Sequence, residues 1–116
     1  MTAAAVEPTR DIVEPTPVPG IHVGPADIIA LIVQYDWPDD TAIAIADCES
    51  DFDPNAVNAS SGAAGIFQFL GRFHNWKLRA GETWFDASAN IRIAYETWLA
   101  DGGFSAWNAS RHCWGN

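Results

Sequence analysis

Apolar side chains recur every three or four residues between Asp86 and Gly103, and this spacing constrains the fold more than any other feature of the chain. Such spacing predicts a helix that packs through one face. Asp86 is a suitable N-cap, and Gly102-Gly103 is a suitable end for a helix. The predicted apolar face comprises Ile91, Ala94, Tyr95, Trp98 and Leu99.

Two shorter helices are predicted nearer the N-terminus. One begins at Gly24-Pro25, because proline suits the first turn of a helix, and ends before Pro38. The other runs from Ala42 to about Ser50, with its N-cap among Asp39–Thr41. The apolar positions are Ile28, Leu31, Ile32 and Tyr35 in the first helix, and Ile43, Ala46 and Cys48 in the second.

The remaining segments are less regular, and none shows the alternating pattern of a strand. Residues 56–65 are rich in Ala, Ser, Asn and Gly, which predicts a loop or a small irregular hairpin. Residues 66–80 predict one helix or two short ones closed by Gly81, and residues 104–114 predict a short helical turn and a docked end. Trp84, Phe85 and Trp98 are expected to pack in the core. The sequence therefore predicts a mainly α, compact helical domain.

The composition supports one folded domain and argues against several classes of protein. The chain has 116 residues, of which 48% are hydrophobic, and it contains six Trp and six Phe, enough for a core. Its longest apolar run, residues 28–33, is far shorter than the roughly 18 residues that span a bilayer. A formal net charge of −9 disfavours binding to nucleic acid. Two cysteines and scattered histidines do not form a structural zinc site, and no metal or cofactor is expected.

The N-terminal part differs in composition from the rest. Residues 1–23 contain Pro8, Pro15, Pro17 and Pro19 without apolar periodicity, which predicts a flexible arm or linker. Residues 24–116 are then the folded domain. The first six residues lack the basic and apolar regions of a signal peptide, so an exported form would need a removed leader or another route.

Cys48 and Cys113 lie 65 positions apart, and two states are open for them. Both could be buried free thiols, or they could form one disulfide. A disulfide closing so long a loop stabilises a fold by about 4 kcal/mol in the chain-entropy model. A small domain with two cysteines suits an oxidising, extracellular setting, which favours the disulfide.

Glu49 is the candidate for acid–base chemistry. It lies at the C-terminal end of the second predicted helix, where the helix dipole disfavours a negative charge. An uncharged carboxylic acid near aromatic side chains such as Phe67 could donate a proton to a leaving oxygen. Gly62 and Gly65 indicate a close approach of the backbone, and Gln68 supplies an amide nearby. The alternative is an ordinary solvated acid at a helix end.

Four groups of residues occur in an order that resembles a known family. Glu49-Ser50 and Pro54-Asn55-Ala56 come first, followed by the segment Gly62–Gln68, which has the pattern Gly-Ala-x-Gly-x-x-Gln. The later groups are Phe85-Asp86 and Asn90-Ile91 with Tyr95, Trp98 and Leu99, and then Ala106-Trp107-Asn108-Ala109-Ser110. Together they resemble the lysozyme-like lytic transglycosylases, the soluble lytic transglycosylase family that includes goose-type lysozymes. The resemblance covers about residues 26–114 and is strongest to actinobacterial and phage members.

The resemblance implies a lysozyme-like helical fold with a small irregular hairpin near its cleft. It also implies an enzyme that cleaves the β-1,4 bond between N-acetylmuramic acid and N-acetylglucosamine in peptidoglycan. Glu49 would be the catalytic acid and base. Substrate-binding residues would be Ser61, Gly65 and Gln68, with Asn108 beside Glu49 and Trp107 able to stack on a sugar, while Asn90 would be structural. Glycan strands are the expected partner of a monomer that does not insert into membranes.

The reaction itself stays open between two outcomes. A transglycosylase uses the sugar's own 6-hydroxyl and gives a 1,6-anhydro product, whereas a lysozyme uses water and normally a second carboxylate. No acidic residue lies between Asp53 and Glu82, which favours the transglycosylase. A hydrolase would take its second group from Asp51, Asp53, Asp86 or Asp101. A non-catalytic glycan-binding module is a further alternative.

Two departures from the family pattern concern the cleft. Leu70-Gly71 lacks the proline that usually follows the glutamine, and Trp107 and Ser110 replace the usual tyrosine and final glycine of the last motif. The resemblance further implies an extracellular or cell-wall location, or association with a phage particle or with lysis. The arm could tether the domain to the wall or to a wall-binding module, which would suit a protein too acidic to be attracted to an anionic envelope.

Overall fold

The computed structural model describes residues 23–115, and these form five α-helices and two 3-10 helices without a strand. The predicted mainly helical fold is confirmed. The prediction of an arm over residues 1–23 lies outside the described residues, apart from Val23. The α-helices are α1 Pro25–Ile32, α2 Asp39–Ser50, α3 Gly71–His74, α4 Ala87–Asp101 and α5 Arg111–Trp114, and the 3-10 helices are Asn75–Lys77 and Ser105–Ser110.

The indole of Trp37 belongs to the buried core and joins several aromatic side chains. Its Nε1 donates to the carbonyl oxygen of Ile32 at 2.9 Å, which satisfies a backbone acceptor at the end of α1. Its ring lies 5.6–6.5 Å from five other aromatic rings, within the range of favourable aromatic contacts. Those five are Tyr35, Phe67, Tyr95, Trp98 and Phe104. Tyr35, predicted within the first helix, follows its end and stacks on Tyr95.

Helix α4 begins and ends where the sequence predicted. Asp86 is the N-cap residue, and Gly102 ends the helix in the left-handed conformation at φ 70°. The buried residues include Ile91 and Ala94, as predicted, but Leu99 is 55% exposed, so its assignment to the apolar face was wrong. Thr97 lies on the buried face of α4. Leu99 comes two residues later, which places it about 200° around the helix axis, on the exposed side.

Helix α2 starts three residues earlier than predicted. Pro38 occupies the N-cap position. Asp39 and Asp40 lie in the first turn, where their negative charges interact favourably with the helix dipole but form no capping hydrogen bond. The prediction of an aspartate or threonine N-cap was therefore wrong, whereas the predicted end at Ser50 is confirmed. Ile45 is fully buried, while Ile43 and Cys48 are partly buried.

The predicted irregular hairpin is present, and of the two alternatives for residues 66–80 the structure has the two short helices, with residues 66–70 outside them. Isolated antiparallel bridges pair Ala64 with both Val57 and Phe69, and only residues 71–77 are helical. We call residues 57–69 the hairpin. Asn90, fully buried in α4, accepts from the Phe67 N–H at 2.8 Å and donates to the carbonyl oxygens of Ala64 and Trp84 at 3.2 and 3.0 Å. These long-range bonds hold the backbone in a non-helical path.

A disulfide between Cys48 and Cys113 joins α2 to α5, so the two cysteines are not free thiols.

Trp84 is buried and Trp98 is partly buried, as predicted, but Phe85 is exposed because it precedes α4 on an open turn. Over residues 23–115, no helix combines the length and the apolar character needed to cross a membrane.

Candidate active site

A cleft of about 250 Å³ lies where the end of α2, the hairpin and the 3-10 helix Ser105–Ser110 meet. Four of the predicted site residues line this cleft, namely Glu49, Ser61, Gln68 and Trp107. The other lining residues are Asn58, Ala63, Phe69, Leu70, His74, Thr97, Ala106 and Ala109. The cleft thus combines one acid, several neutral polar groups and an apolar floor.

Glu49 is partly buried in the last turn of α2. The Ser110 hydroxyl donates to its Oε2 at 2.5 Å. The Trp114 Nε1 in turn donates to the Ser110 oxygen at 3.1 Å, which fixes the position of the hydroxyl. The sequence marked Ser110 only as a replacement for glycine, and its contact spans 61 positions, so sequence spacing could not reveal this role.

Two polar side chains of the hairpin line the cleft. Gln68 adopts a left-handed backbone at φ 55°, and its Nε2 donates to the carbonyl oxygens of Ala56 and Gly65 at 3.1 and 2.9 Å. Its amide oxygen is then the acceptor available to a ligand. Ser61 accepts from the Ala63 N–H at 3.2 Å, which leaves its hydroxyl proton free to be donated.

Gly65 and Asn108 do not line the cleft, contrary to the sequence prediction. A Cβ at Gly65 would collide with the Trp84 carbonyl oxygen and with the Asn90 amide, and its φ is 81°. Gly65 therefore allows the hairpin to pack against α4, and it shapes the cleft indirectly. Asn108 is exposed outside the cleft, and Ala106 and Ala109 line the wall instead.

Trp107 forms part of the cleft floor and is only 4% exposed. Its Nε1 donates to the Phe67 carbonyl oxygen at 3.0 Å, and its ring meets the Phe67 ring edge-on at 5.6 Å. So little exposed area leaves no ring face on which a sugar could stack. The expected stacking role is therefore not supported by this geometry.

His74 lines the cleft and was not expected from the sequence to do so. Burial, and then the nearby charge of Lys77, lower the pKa of His74 below its ordinary value, so the imidazole is neutral at neutral pH. Its ring packs edge-on against Phe69 at 5.5 Å.

Glu49 is the one carboxylate among the residues that line the cleft. Four aspartates were considered above as the second catalytic carboxylate of a hydrolase, and none of them lines the cleft. They are Asp51, Asp53, Asp86 and Asp101. Within residues 23–115 there is also no group of three His, Cys, Asp or Glu side chains that could hold a metal ion. The arrangement is suited to proton transfer by a single acid.

Comparison with known proteins identifies the family of this chain. Residues 28–97, more than half of the chain, match the family model described as "Transglycosylase SLT domain". Searches of curated proteins and of solved structures found no significant match. Members of the matched family are lytic transglycosylases that act on peptidoglycan, in agreement with the resemblance seen in the sequence. The chain therefore belongs to the transglycosylase SLT domain family of peptidoglycan-cleaving enzymes.

Proposed function

We propose that the protein cleaves the bond between N-acetylmuramic acid and N-acetylglucosamine with Glu49 as both acid and base, giving 1,6-anhydro products. The observation that carries this proposal is the position of Glu49 as the single carboxylate of the cleft. An enzyme that activates water normally places a second carboxylate across the sugar. An enzyme that uses the substrate's own hydroxyl needs only one group that gives and then takes a proton.

The reaction has two proton transfers at Glu49. In the first, the carboxylic acid donates its proton to the glycosidic oxygen while the bond from that oxygen to C1 of the muramoyl residue breaks. In the second, the Glu49 carboxylate removes the proton of the 6-hydroxyl, and that oxygen bonds to C1. The proton that Glu49 gave is thereby replaced, so no water is consumed.

Ser110 supports this cycle by its contact with Glu49. Its hydroxyl donates to Oε2 at 2.5 Å, so it stabilises the carboxylate formed after the first transfer. The other carboxyl oxygen remains for the substrate. Trp114 holds Ser110 in place through its indole N–H, which makes the contact part of the folded framework. We regard Ser110 as a positioning residue rather than a catalytic residue.

The hairpin supplies the groups that would bind the sugars. The Gln68 amide oxygen can accept from an N-acetyl N–H, and the Ser61 hydroxyl can donate to a sugar oxygen. Trp107 contributes an apolar part of the cleft lining. Gly65 contributes by letting the hairpin pack closely, and Asn108 is not assigned a contact with substrate.

The test compares digests of purified peptidoglycan by wild type, by Glu49→Gln and by Asp47→Asn. Asp47 lies two residues earlier in α2 and is exposed, so its variant controls for the loss of a charge on that helix. We expect anhydro-muropeptides in mass spectra from wild type and Asp47→Asn, and a rate at least about 100-fold lower for Glu49→Gln. Reducing-end products from wild type would instead establish hydrolysis by water. Equal products from all three proteins would exclude Glu49 as the catalytic group.

We also propose that the protein acts outside the cytoplasm, where its substrate lies. The disulfide between Cys48 and Cys113 supports this, because disulfides persist in oxidising compartments. A monomeric state, a tethering role for residues 1–23 and an actinobacterial or phage origin stay predictions from the sequence. Size-exclusion chromatography with light scattering would test the first of these.

A further inference from the structure

A second cavity, of about 530 Å³, adjoins the cleft and has no place in the mechanism above. Thr97 lines both spaces, so they share a wall. The Lys77 Nζ donates to the Thr97 hydroxyl at 3.3 Å on that shared wall. The full lining of the second cavity is Trp76, Lys77, Glu96, Thr97, Ala100 and Asp101.

Charges of both signs line this cavity. Lys77 comes from the 3-10 helix Asn75–Lys77, whereas Glu96 and Asp101 come from α4. Glu96 is held only loosely by Arg92, at 3.6 Å, and about half of its side chain is exposed. Asp101 forms no salt bridge to any residue of the described part of the chain. Both carboxylates are therefore available to a cationic group of a ligand.

Trp76 adds an open aromatic surface to the cavity. It is 78% exposed, more than any other large hydrophobic residue between positions 23 and 115. Its Nε1 donates to the Phe73 carbonyl oxygen at 3.1 Å, which fixes the indole, and the Lys77 ammonium lies 5.4 Å from the ring centre. A fixed and exposed indole is suited to covering the methylene chain of a ligand.

We propose that this cavity binds the peptide stem carried by the muramoyl residue in the cleft, an inference that rests on the proposed function. A stem peptide offers carboxylates to Lys77, an ammonium group on its diamino acid to Glu96 and Asp101, and methylene groups to Trp76. The sugars of the glycan carry no such pair of charges, so a lining with charges of both signs favours the peptide. Three extended residues span about 10 Å, and Thr97 lines both spaces, so a stem attached to a sugar in the cleft would enter the neighbouring cavity.

The first test measures binding without catalysis. A synthetic stem tetrapeptide that contains a diamino acid, with no sugar attached, is titrated into wild type, Trp76→Ala and Asp101→Asn by NMR. We expect saturable shifts for wild type and an affinity at least about tenfold weaker for each variant. Phe73→Ala is the matched control, because Phe73 is also an exposed aromatic residue of this segment but does not line the cavity.

The second test compares kcat/KM on two substrates, intact peptidoglycan strands and strands from which an amidase has removed the peptides. We expect wild type to prefer the intact strands by about tenfold, and Trp76→Ala to lose that preference while cleaving the stripped strands normally. Equal losses on both substrates would overturn the proposal and make the cavity a sugar site. No binding of the tetrapeptide together with equal cleavage of both strands would also overturn it. Tetrapeptide binding that depends on Trp76, in a protein that cleaves neither strand, would support the peptide site and reject the proposed function alone.

Discussion

Replacing Asn90 with alanine should strongly destabilise the fold, because Asn90 is the one fully buried polar residue between positions 23 and 115. The Asn90 side chain is fully buried and makes three hydrogen bonds, to the Phe67 N–H and to the carbonyl oxygens of Ala64 and Trp84. Each such bond contributes about 1 kcal/mol, and each buried group left unsatisfied costs about 1–3 kcal/mol. The Phe67 N–H and the Trp84 carbonyl oxygen would be left unsatisfied, whereas the Ala64 carbonyl oxygen keeps its bond from the Phe69 N–H, so the sum is a loss of roughly 3–7 kcal/mol in the free energy of unfolding.

That loss is large beside the total stability of a small domain, which is about 5–15 kcal/mol. Urea denaturation of wild type and Asn90→Ala would measure it, and the thermal midpoint should fall by at least about 12 °C. Asn108→Ala is the control, because Asn108 is exposed, and its effect should stay within about 0.5 kcal/mol. The cleft should also suffer, since Asn90 holds the residue next to Gln68.

A change below about 1 kcal/mol in Asn90→Ala, with an unchanged dependence on urea, would refute this reasoning. It would mean that water replaces the lost bonds, or that the hairpin keeps its path without them. A variant too unstable to purify can be assessed by the yield of its refolding in the presence of a stabilising osmolyte.

Three further predictions concern the catalytic contact, the disulfide and acid stability. Ser110→Ala should lower kcat on peptidoglycan by about 10- to 100-fold with little change in KM, because a hydrogen bond to a charged group is lost; an unchanged kcat would remove Ser110 from the mechanism. Replacing Cys48 and Cys113 with alanine should lower the free energy of unfolding by about 4 kcal/mol in urea denaturation, and a loss below about 1 kcal/mol would contradict the loop-closure argument. The hydrogen bond from Arg92 lowers the pKa of Glu82, so the folded protein holds this carboxylate ionised at lower pH than the unfolded chain does. Glu82 therefore contributes stability above its unfolded pKa and loses it as the pH falls through the folded value. Denaturation curves from pH 6 downward should fall less steeply for Glu82→Gln, and parallel curves would refute the assignment.

Local signals in the sequence were sufficient for most helix ends. Pro25, Asp86 and Gly102 stand at or beside the boundaries that their backbone preferences indicate. Glu49 could be singled out because its motif and the end of α2 coincide. These features depend on residues within a few positions of one another.

Features set by distant contacts escaped the sequence reasoning. Residues 66–70 are apolar enough for a helix, but Asn90, 23 positions away from Phe67, holds them in another conformation. The burial of Trp107 depends on Phe67, 40 positions away, so its aromatic character alone suggested a sugar platform. The partner of Glu49 likewise comes from the far end of the described chain.

The disulfide has a consequence for the integrity of the cleft. Every residue that lines the cleft lies between Cys48 and Cys113, so one covalent ring contains the whole site. A protease that cuts a single bond in the exposed stretch Asn58–Ser60 would therefore leave both pieces of the ring in one molecule. Such a nicked protein should run as one band on a gel without reductant and as two bands with it. A wall-degrading enzyme that meets a protease would in this way stay one molecule after a cut at this exposed turn.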